Sequence, residues 1–300
     1  MYYRLNDYLK EKFGCKVYKL ALSGGMTCPN RDGTISNRGC IFCAEGSGFF
    51  AEPSGSSITS QIEKAKQRVK NKIKSGKYIA YFQSYTNTYA PVEHLEKIFT
   101  EAICHPGIAA LSVATRPDCL PEAVLSLLEK LNKIKPVFVE LGLQTVHEST
   151  AEYIRRGYSL PVFDTAVNNL KRIGVNAVVH MIIGLPGESR RMIAETAEYI
   201  GKSGADGIKL QLLHVLKNTD LAEDYRLGLF KCLTLAEYIE ILEDCIRVLP
   251  KTIVIHRLTG DGEKSGLIAP MWSADKKRVL NAINAAFERD GVVQGSLFKI

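Results

Sequence analysis

The sequence predicts an α/β protein built as a partial (β/α)6 barrel of the TIM type, with a doubly wound parallel sheet as the alternative. Short runs of β-branched and aromatic residues alternate repeatedly with amphipathic helical patterns along the chain. Repeated strand-then-helix units imply right-handed crossovers and a parallel sheet. The 300 residues, 46% of them hydrophobic, can bury one large core. We therefore expect a single domain over residues 1–300.

The predicted strands and helices follow one another in a regular order. Strands are expected over residues 16–22, 78–83, 107–115, 136–144, 175–184 and 207–215. Helical patterns lie between them at residues 56–76, 92–104, 120–132, 162–174 and 191–204, several closed by a glycine that suits a helix C-terminus. The core barrel thus covers about residues 16–215. Residues 216–300 form a short C-terminal extension, with a strand at 252–258 and a helix at 273–291, which could cover one edge of an open barrel.

Composition and charge exclude several classes of protein. No run of eighteen apolar residues is present, and charges interrupt the N-terminal segment where a signal peptide would need an apolar stretch. We therefore expect a soluble, cytoplasmic protein. Eight cysteines in such a chain do not indicate a secreted disulfide framework, so reduced thiols are expected. A net charge of +7 suits a polyanionic partner but does not by itself indicate one.

Three cysteines are concentrated in the loop after the first predicted strand. Cys28, Cys40 and Cys43 have the spacing C-x11-C-x2-C. In parallel α/β folds the chemistry gathers at the carboxyl ends of the strands, where this loop lies. A zinc site would normally need a fourth ligand at short spacing, and the next histidine, His94, is far along the chain. Three thiolates can instead anchor a [4Fe-4S] cluster and leave one iron open to another ligand.

The strand ends resemble those of the radical SAM superfamily, whose signature is a three-cysteine loop after the first strand of a partial barrel. The pair "CIFC" keeps the form of that signature, although the usual first gap is three residues instead of eleven. Further segments are similar, in the same order, to those of the elongator catalytic subunit, the methylthiotransferases and oxygen-independent coproporphyrinogen oxidase. They are "ATRPD" (114–118), "ELGLQT" (140–145), "RRGY" (155–158) and "MIIGLPGE" (181–188).

This resemblance implies two cofactors, a [4Fe-4S] cluster and S-adenosyl-L-methionine (SAM). Cys28, Cys40 and Cys43 would bind the cluster, with Phe42 packed near it. The residues implied for SAM all lie at or just beyond strand ends: Gln83, Ser84, Thr86, Thr115, Arg116, Glu140, Gln144, Arg156, Gly184 and Glu188.

The implied roles differ along that set of residues. Gln83, Ser84 and Thr86 would accept from the methionyl amino group, and Gln144 and Arg156 would hold the methionyl carboxylate and ribose. The turn from Gly184 to Glu188 would lie on the adenine side. Glu140 and Glu188 would act in catalysis or only orient SAM. His180 stands where related enzymes often place an acidic residue, so it would either face the ligand or be an ordinary strand histidine.

A closer resemblance covers nearly the whole chain. The segments at 24–34 and 256–283 are similar to a bacterial radical SAM family, related to the elongator-type enzymes, that carries the long cysteine gap. In Gram-positive bacteria that family is associated with tRNA wobble uridine, whose 5-carboxymethylaminomethyl side chain is converted towards 5-aminomethyl. The resemblance implies three partners: tRNA, an electron donor such as flavodoxin or ferredoxin, and a downstream methyltransferase that acts on the product.

The residues expected to act on such a substrate are His180, Arg257 and Asp261. A cation should hold the substrate carboxylate, and the candidates are Arg257, Lys264 and Arg116. Arg257 is favoured, together with Asp261 on the same segment, because that loop is polar and glycine-rich. The chain is too short for an added acetyltransferase domain, and its other cysteines are too scattered for a second cluster. We therefore expect a single-cluster enzyme that abstracts a hydrogen atom.

A basic helical pattern suggests how tRNA would be held. Its basic residues are Lys64, Lys66, Arg68, Lys70, Lys72, Lys74 and Lys77. This face would either follow phosphates or simply be solvated. Tyr85, Tyr89 and Trp272 are candidates for stacking an unpaired base. Two alternatives stay open: a radical SAM enzyme acting on a small metabolite or tetrapyrrole, and a non-catalytic, zinc-stabilised nucleic-acid-binding protein.

Overall fold

A single sheet of seven parallel strands forms the centre of the computed structural model, which describes residues 1–44, 55–72, 76–260 and 265–299. Its strands, in spatial order, are β1 (Val17–Leu22), β2 (Lys77–Phe82), β3 (Ile108–Thr115), β4 (Val137–Gln144), β5 (Asn176–Ile183), β6 (Gly207–Leu212) and β8 (Val254–Arg257). Two short strands, β7 (Val215–Leu216) and β9 (Leu267–Ala269), pair antiparallel beside it. The predicted partial barrel of parallel strands is therefore confirmed.

Helices follow most of the strands and cover the outside of the sheet. They are α1 (Leu5–Phe13), α2 (Ile58–Val69), α3 (Val92–Cys104), α4 (Glu122–Asn132), α5 (Glu148–Tyr153), α6 (Leu160–Arg172), α7 (Arg190–Lys202), α8 (Asp220–Arg226), α9 (Leu235–Val248) and α10 (Lys276–Arg289). Within the described residues, no helix combines the length and the apolar character that crossing a membrane requires.

The C-terminal extension is more closely joined to the barrel than the sequence indicated. β8 pairs in parallel with β6 and becomes the seventh strand of the sheet, where we expected an added strand covering an edge. The helix before it, α9, was not predicted. Its start carries a capping box. The Thr234 side chain accepts from the Glu237 backbone N–H, and the Glu237 side chain accepts from the Thr234 backbone N–H. This Thr-x-x-Glu pattern is the signal that would have located the helix.

Contacts across the concave face show that the sheet is curled. Glu140 in β4 contacts both Lys19 in β1 and Lys209 in β6. In a flat sheet β1 would lie about 14 Å from β4, since neighbouring strands are about 4.8 Å apart. Side chains from distant strands therefore meet inside the curve, and the sheet encloses an interior.

Alternation along the strands divides the apolar residues into two cores. Outward-facing residues such as Leu111, Val139 and Leu210 pack beneath the helices in the main core. Inward-facing residues form layers, as is usual inside parallel barrels. The lowest layer is apolar and takes one residue from each of five strands: Val17, Ile79, Ala110, Phe138 and Val178.

Helix α1 closes the amino-terminal end of this interior. It begins next to a bridge between Arg4 and Ile255 of β8, and its Leu9 packs against the apolar layer. The interior above that layer therefore faces the carboxyl ends of the strands, where the cysteine loop lies.

Candidate active site

A cavity of about 280 Å³ occupies the carboxyl end of the barrel interior. It brings together most of the residues that the sequence singled out. Those lining it are Cys28, Cys40, Phe42, Cys43, Gln83, Thr86, Thr115, Arg116, Glu140, Gln144, Arg156, His180 and Arg257. Residues separated by more than two hundred positions thus share one cavity because parallel strands end at the same edge.

Other predicted residues do not line this cavity. Ser84 is outside its wall, and Gly184 lies at a turn with φ of 91°, where an added Cβ would come within 3.0 Å of the Leu233 side chain. Glu188 is also outside the wall; its carboxylate accepts from the Thr145 hydroxyl at 2.5 Å. Asp261 and Lys264 fall outside the described residues. The contact of the Gly184 turn and Glu188 with SAM therefore stays a prediction.

The cysteine loop is held in a defined conformation. The Cys43 backbone N–H donates to the Cys40 carbonyl at 3.0 Å, which makes a tight turn between the two thiols. The buried Asn30 amide lies 3.4 Å from the Cys40 sulfur and donates to the Arg155 carbonyl at 2.6 Å. The Arg31 guanidinium donates to the Cys43 carbonyl. These bonds tie the loop to the segment after α5 and fix the thiols at the cavity.

The donor set fits a [4Fe-4S] cluster. Burial, together with the neighbouring Cys43, raises the pKa of Cys40 to about 11, and burial also raises the pKa of Cys43. These two buried thiols cannot ionise readily without a compensating positive group, and iron would provide one. In the described ranges, no three His, Cys, Asp or Glu side chains converge to hold a single metal ion. A cluster does not need that convergence, because each thiolate bonds a different iron.

Gln144 offers an unused polar group for a second ligand. It ends β4 with φ of 72°, in the left-handed region that non-glycine residues rarely adopt. Its side-chain Oε1 is buried and has no hydrogen-bond partner within the described chain. A strained residue with an orphaned acceptor at a cavity wall is typical of a binding site. An amino or hydroxyl donor, such as SAM carries, fits this position.

Arg116 and Arg156 already have protein partners. Arg156 donates to the carbonyls of Thr145 at 2.6 Å and Tyr158 at 3.0 Å, and it pairs with Glu148. The two nitrogens of Arg116 that pair with Asp118 lie 2.7 and 2.9 Å from its carboxylate, and the third donates to the Arg156 carbonyl. Both guanidinium groups therefore support the cavity wall, and their predicted contacts with SAM stay a prediction.

Directly above the apolar layer, and only partly lining the cavity, lies a polar layer. Each of the strands β1 to β6 contributes one side chain to it: Lys19, Tyr81, Ser112, Glu140, His180 and Lys209. The Glu140 carboxylate lies at its centre and accepts from Ser112 at 2.7 Å, His180 at 2.8 Å and Tyr81 at 2.9 Å, as well as from both lysines. This carboxylate is the only acidic group in the layer.

The charges in the polar layer perturb one another. Burial alone would raise the pKa of Glu140, but Lys19 and Lys209 outweigh it, so the pKa lies well below the usual range. Burial lowers the pKa of Lys209 to about 7 against the attraction of Glu140. Burial, followed by the charge of Lys209, lowers the pKa of His180 to about 4. Glu140 is therefore ionised and His180 neutral near pH 7.

His180 is expected to stay neutral throughout the pH range above about 5. Because its folded pKa of about 4 lies below the ordinary histidine value of 6.5, the unfolded chain binds the proton first, and stability should fall as the pH drops from 6.5 towards 4. Nuclear magnetic resonance of protein with labelled histidine would follow the ring shifts, with a His180→Gln variant to assign the signal. A titration midpoint near 6.5 would contradict this expectation.

Sequence reasoning missed several residues of this site. Lys19, Tyr81, Lys209 and Gln211 were not selected, although all except Lys19 line the cavity. The available signal was the presence of polar residues at the inward positions of an otherwise apolar strand. In "GIKLQL" of β6, for example, Lys209 and Gln211 alternate with the buried outward residues Ile208 and Leu210.

The features proposed for RNA contact differ in their surroundings. Trp272 packs against Tyr238 and donates its indole N–H to the Leu233 carbonyl at 2.9 Å, so it supports the core, and its stacking on a base stays a prediction. Tyr85 lines the cavity. Lys66 on α2 pairs with Glu63 at 2.8 Å, whereas Lys64, Arg68 and Lys70 are exposed; Lys74 lies outside the described residues.

Comparisons with known proteins agree with this geometry. A family model described as "Radical SAM superfamily" matches residues 32–200, and one described as "Radical_SAM C-terminal domain" matches residues 205–289. The chain is 44% identical over 299 residues to the uncharacterised protein YtqA of Bacillus subtilis, covering 99% of this chain and 93% of that protein.

Two further similarities concern archaeal proteins. A tRNA uridine(34) acetyltransferase of Methanocaldococcus jannaschii is 28% identical over 155 residues, covering 51% of this chain and 28% of that protein. The solved structure of Methanocaldococcus infernus Elp3 with an N-terminal deletion superposes with a TM-score of 0.71 and 18% identity. It covers 93% of this chain, which spans 64% of that structure, and it shows that the fold is shared.

Proposed function

Because this chain belongs to the radical SAM superfamily of enzymes, we propose that it uses a [4Fe-4S] cluster and SAM to modify tRNA, at the side chain of the wobble uridine. The conversion would lead from the 5-carboxymethylaminomethyl group towards the 5-aminomethyl group by breaking the bond between the nitrogen and the carboxymethyl carbon. For the step to balance, the substrate would lose one hydrogen atom and one further electron, which the iron–sulfur cluster would accept, and water would release the two carbons as glyoxylate. The observation that carries the tRNA assignment is the similarity to a tRNA uridine(34) acetyltransferase over half of the chain. An electron donor such as flavodoxin or ferredoxin and a downstream methyltransferase are the proposed partners.

The lining of the cavity supports the binding of both cofactors. Cys28, Cys40 and Cys43 would hold the cluster, and Gln144 would offer its unpaired oxygen to SAM. Gln83 and Thr86 line the same wall and would receive the methionyl amino group. When bound, the cluster and SAM supply a 5′-deoxyadenosyl radical, which removes one hydrogen atom from the substrate. The protein's own part is to exclude water from this space and to orient the groups within it.

The inner part of the cavity suits the proposed substrate. His180, which is neutral near pH 7, and Arg257 both line it. Arg257 would hold the carboxylate of the side chain and present its methylene group, where the adjacent nitrogen stabilises the loss of a hydrogen atom. Asp261 and Lys264, which follow on the same loop, keep their predicted roles here as part of the proposal.

The exposed basic residues of α2 support a polyanionic substrate. Lys64 and Arg68 lie one helical turn apart on the solvent side, with Lys70 just beyond the helix. Such a face would contribute phosphate contacts whose strength depends on salt.

The decisive test is whether tRNA stimulates SAM cleavage. We expect anaerobically reconstituted protein, supplied with reductant and SAM, to form 5′-deoxyadenosine several times faster with tRNA that carries 5-carboxymethylaminomethyluridine. Nucleoside mass spectrometry would show the appearance of 5-aminomethyluridine. The matched control is the same tRNA without the modification at the wobble position. If SAM were cleaved at the same rate whether or not tRNA is present, this result would contradict the tRNA assignment and favour a small-molecule substrate.

A further inference from the structure

Lys209 occupies a position that the proposed function does not yet use. The strand register places His180 of β5 beside Lys209 of β6, and Lys209 beside Arg257 of β8. All three side chains line the cavity that the cysteine loop also borders. Gln211, two residues further along β6, also lines it and lies 3.4 Å from His180. This side of the cavity is therefore built from polar side chains of three neighbouring strands, with His180, Lys209 and Arg257 in register.

The donors around Glu140 exceed what its carboxylate can accept. Lys19 and Ser112 contact one oxygen, while three donors contact the other: Tyr81, His180 and Lys209. A carboxylate offers about four lone-pair sites for these five donors. The Lys209 ammonium has three hydrogens, and its partners in the described chain are Glu140 and the Tyr81 hydroxyl at 3.1 Å. A donor at the cavity wall is thus left for a further acceptor.

The charges of the polar layer favour a negatively charged acceptor. Two lysines share the single carboxylate of Glu140, and His180 is neutral near pH 7. The Lys209 side chain is 4% exposed, and a buried ammonium with incomplete charge compensation is costly. Burial accordingly lowers its pKa to about 7. An anion entering the cavity would restore the balance and keep Lys209 protonated.

We infer that Lys209 binds the carboxylate of the substrate's side chain and thereby selects substrates that carry one; this inference rests on the proposed function. Its neighbour Arg257 lies at the same height and would take the second oxygen of the same group. SAM also carries a carboxylate and is the competing source. We assign the substrate to Lys209 because Gln144, with its unpaired oxygen, already offers SAM a place elsewhere on the wall.

The test compares two ligands, one with a charged carboxylate and one with an uncharged ester at the same position. Anticodon stem-loops would carry the 5-carboxymethylaminomethyl group at the wobble position either as the free acid or as its methyl ester. Binding to cluster-loaded protein with SAM, without reductant, would be measured by fluorescence anisotropy. We expect the wild-type protein to prefer the acid by about tenfold or more, as for a hydrogen bond between charged groups. Lys209→Met and Lys209→Gln should bring this ratio close to one.

A matched control separates binding from structural support. Lys19 also pairs with Glu140 but does not line the cavity among the described residues, so Lys19→Met removes a similar charge from the polar layer. We expect this variant to keep the preference for the acid. Equal loss of the preference in the Lys19 and Lys209 variants would overturn the inference, because both would then act only through Glu140.

The remaining outcomes distinguish the sources of failure. Wild-type protein that binds the acid and the ester equally would overturn the carboxylate site while leaving the tRNA assignment intact. If Lys209→Met weakened SAM binding in equilibrium dialysis and kept the preference for the acid, the SAM carboxylate would be the ligand and the inference would be wrong. Failure of every stem-loop to bind would overturn the proposed substrate, and the inference with it.

Discussion

Replacing Cys43 with alanine is expected to abolish both iron binding and the formation of 5′-deoxyadenosine. The loop supplies three thiols to the cavity, and removing one leaves only two ligands for the proposed cluster. The loss should exceed the roughly 10–100-fold that removal of a supporting residue costs at a metal site. Iron analysis and the visible spectrum after anaerobic reconstitution would measure the first effect, and chromatography of the SAM products the second.

Cys104 provides the matched control for this prediction. It is an exposed thiol at the end of α3 and takes no part in the cavity. Cys104→Ala should keep the iron content and the rate of SAM cleavage of the wild-type protein. A Cys43→Ala protein that retained about four irons per chain would show that the cluster is bound elsewhere.

Glu140→Gln should destabilise the fold by about 3–5 kcal/mol, the cost of removing one partner from a buried ion pair. The substitution keeps the size of the side chain but leaves two lysines without their shared negative charge. Denaturant unfolding monitored by circular dichroism would measure the change. Because the folded pKa of Glu140 lies below the ordinary glutamate value of 4.5, its contribution to stability is complete above that pH and is lost as the pH falls through the folded value.

An exposed pair allows a direct comparison with this buried one. Glu96 pairs with Lys130 at 2.6 Å on the surface, and Glu96→Gln should cost no more than about 1 kcal/mol. In the double variant Glu140→Gln, Lys209→Met, part of the lost stability should return, since one unpaired charge is removed. A cost for Glu140→Gln as small as that of Glu96→Gln would mean that water compensates the lysines.

Much of the architecture was readable because it depends on local patterns. The strands were located by runs such as "YIAYF" and "VFVEL", whose outward residues are needed for packing under helices. The three cysteines were visible because they lie within sixteen residues of one another. The strand at 252–258 was predicted as part of the extension, but its parallel pairing with β6 was not, because that pairing is set by tertiary contacts that leave no local trace.

The polar layer could not be predicted from local patterns in the same way. Lys209 in an apolar strand is indistinguishable in sequence from an edge or surface lysine until Glu140 is brought to it by the curvature of the sheet. The positive φ of Gln144 likewise depends on how β4 ends against its neighbours. Residue types at strand ends indicated where the site is, whereas the partners within it are determined by the closed geometry.

The polar layer has a consequence for how this sequence can vary over evolution. Each strand from β1 to β6 contributes one side chain to the polar layer at the same height. An apolar layer lies below these side chains, and residues that pack under the helices lie outside them. Inserting or deleting one residue within a strand would turn its side chain of the polar layer outward. Lys19 or Lys209 would then be buried in the apolar core beneath the helices, without Glu140 as a partner. Length changes should therefore survive only in loops, so descendants of this chain would keep their strand lengths even where their chemistry diverges.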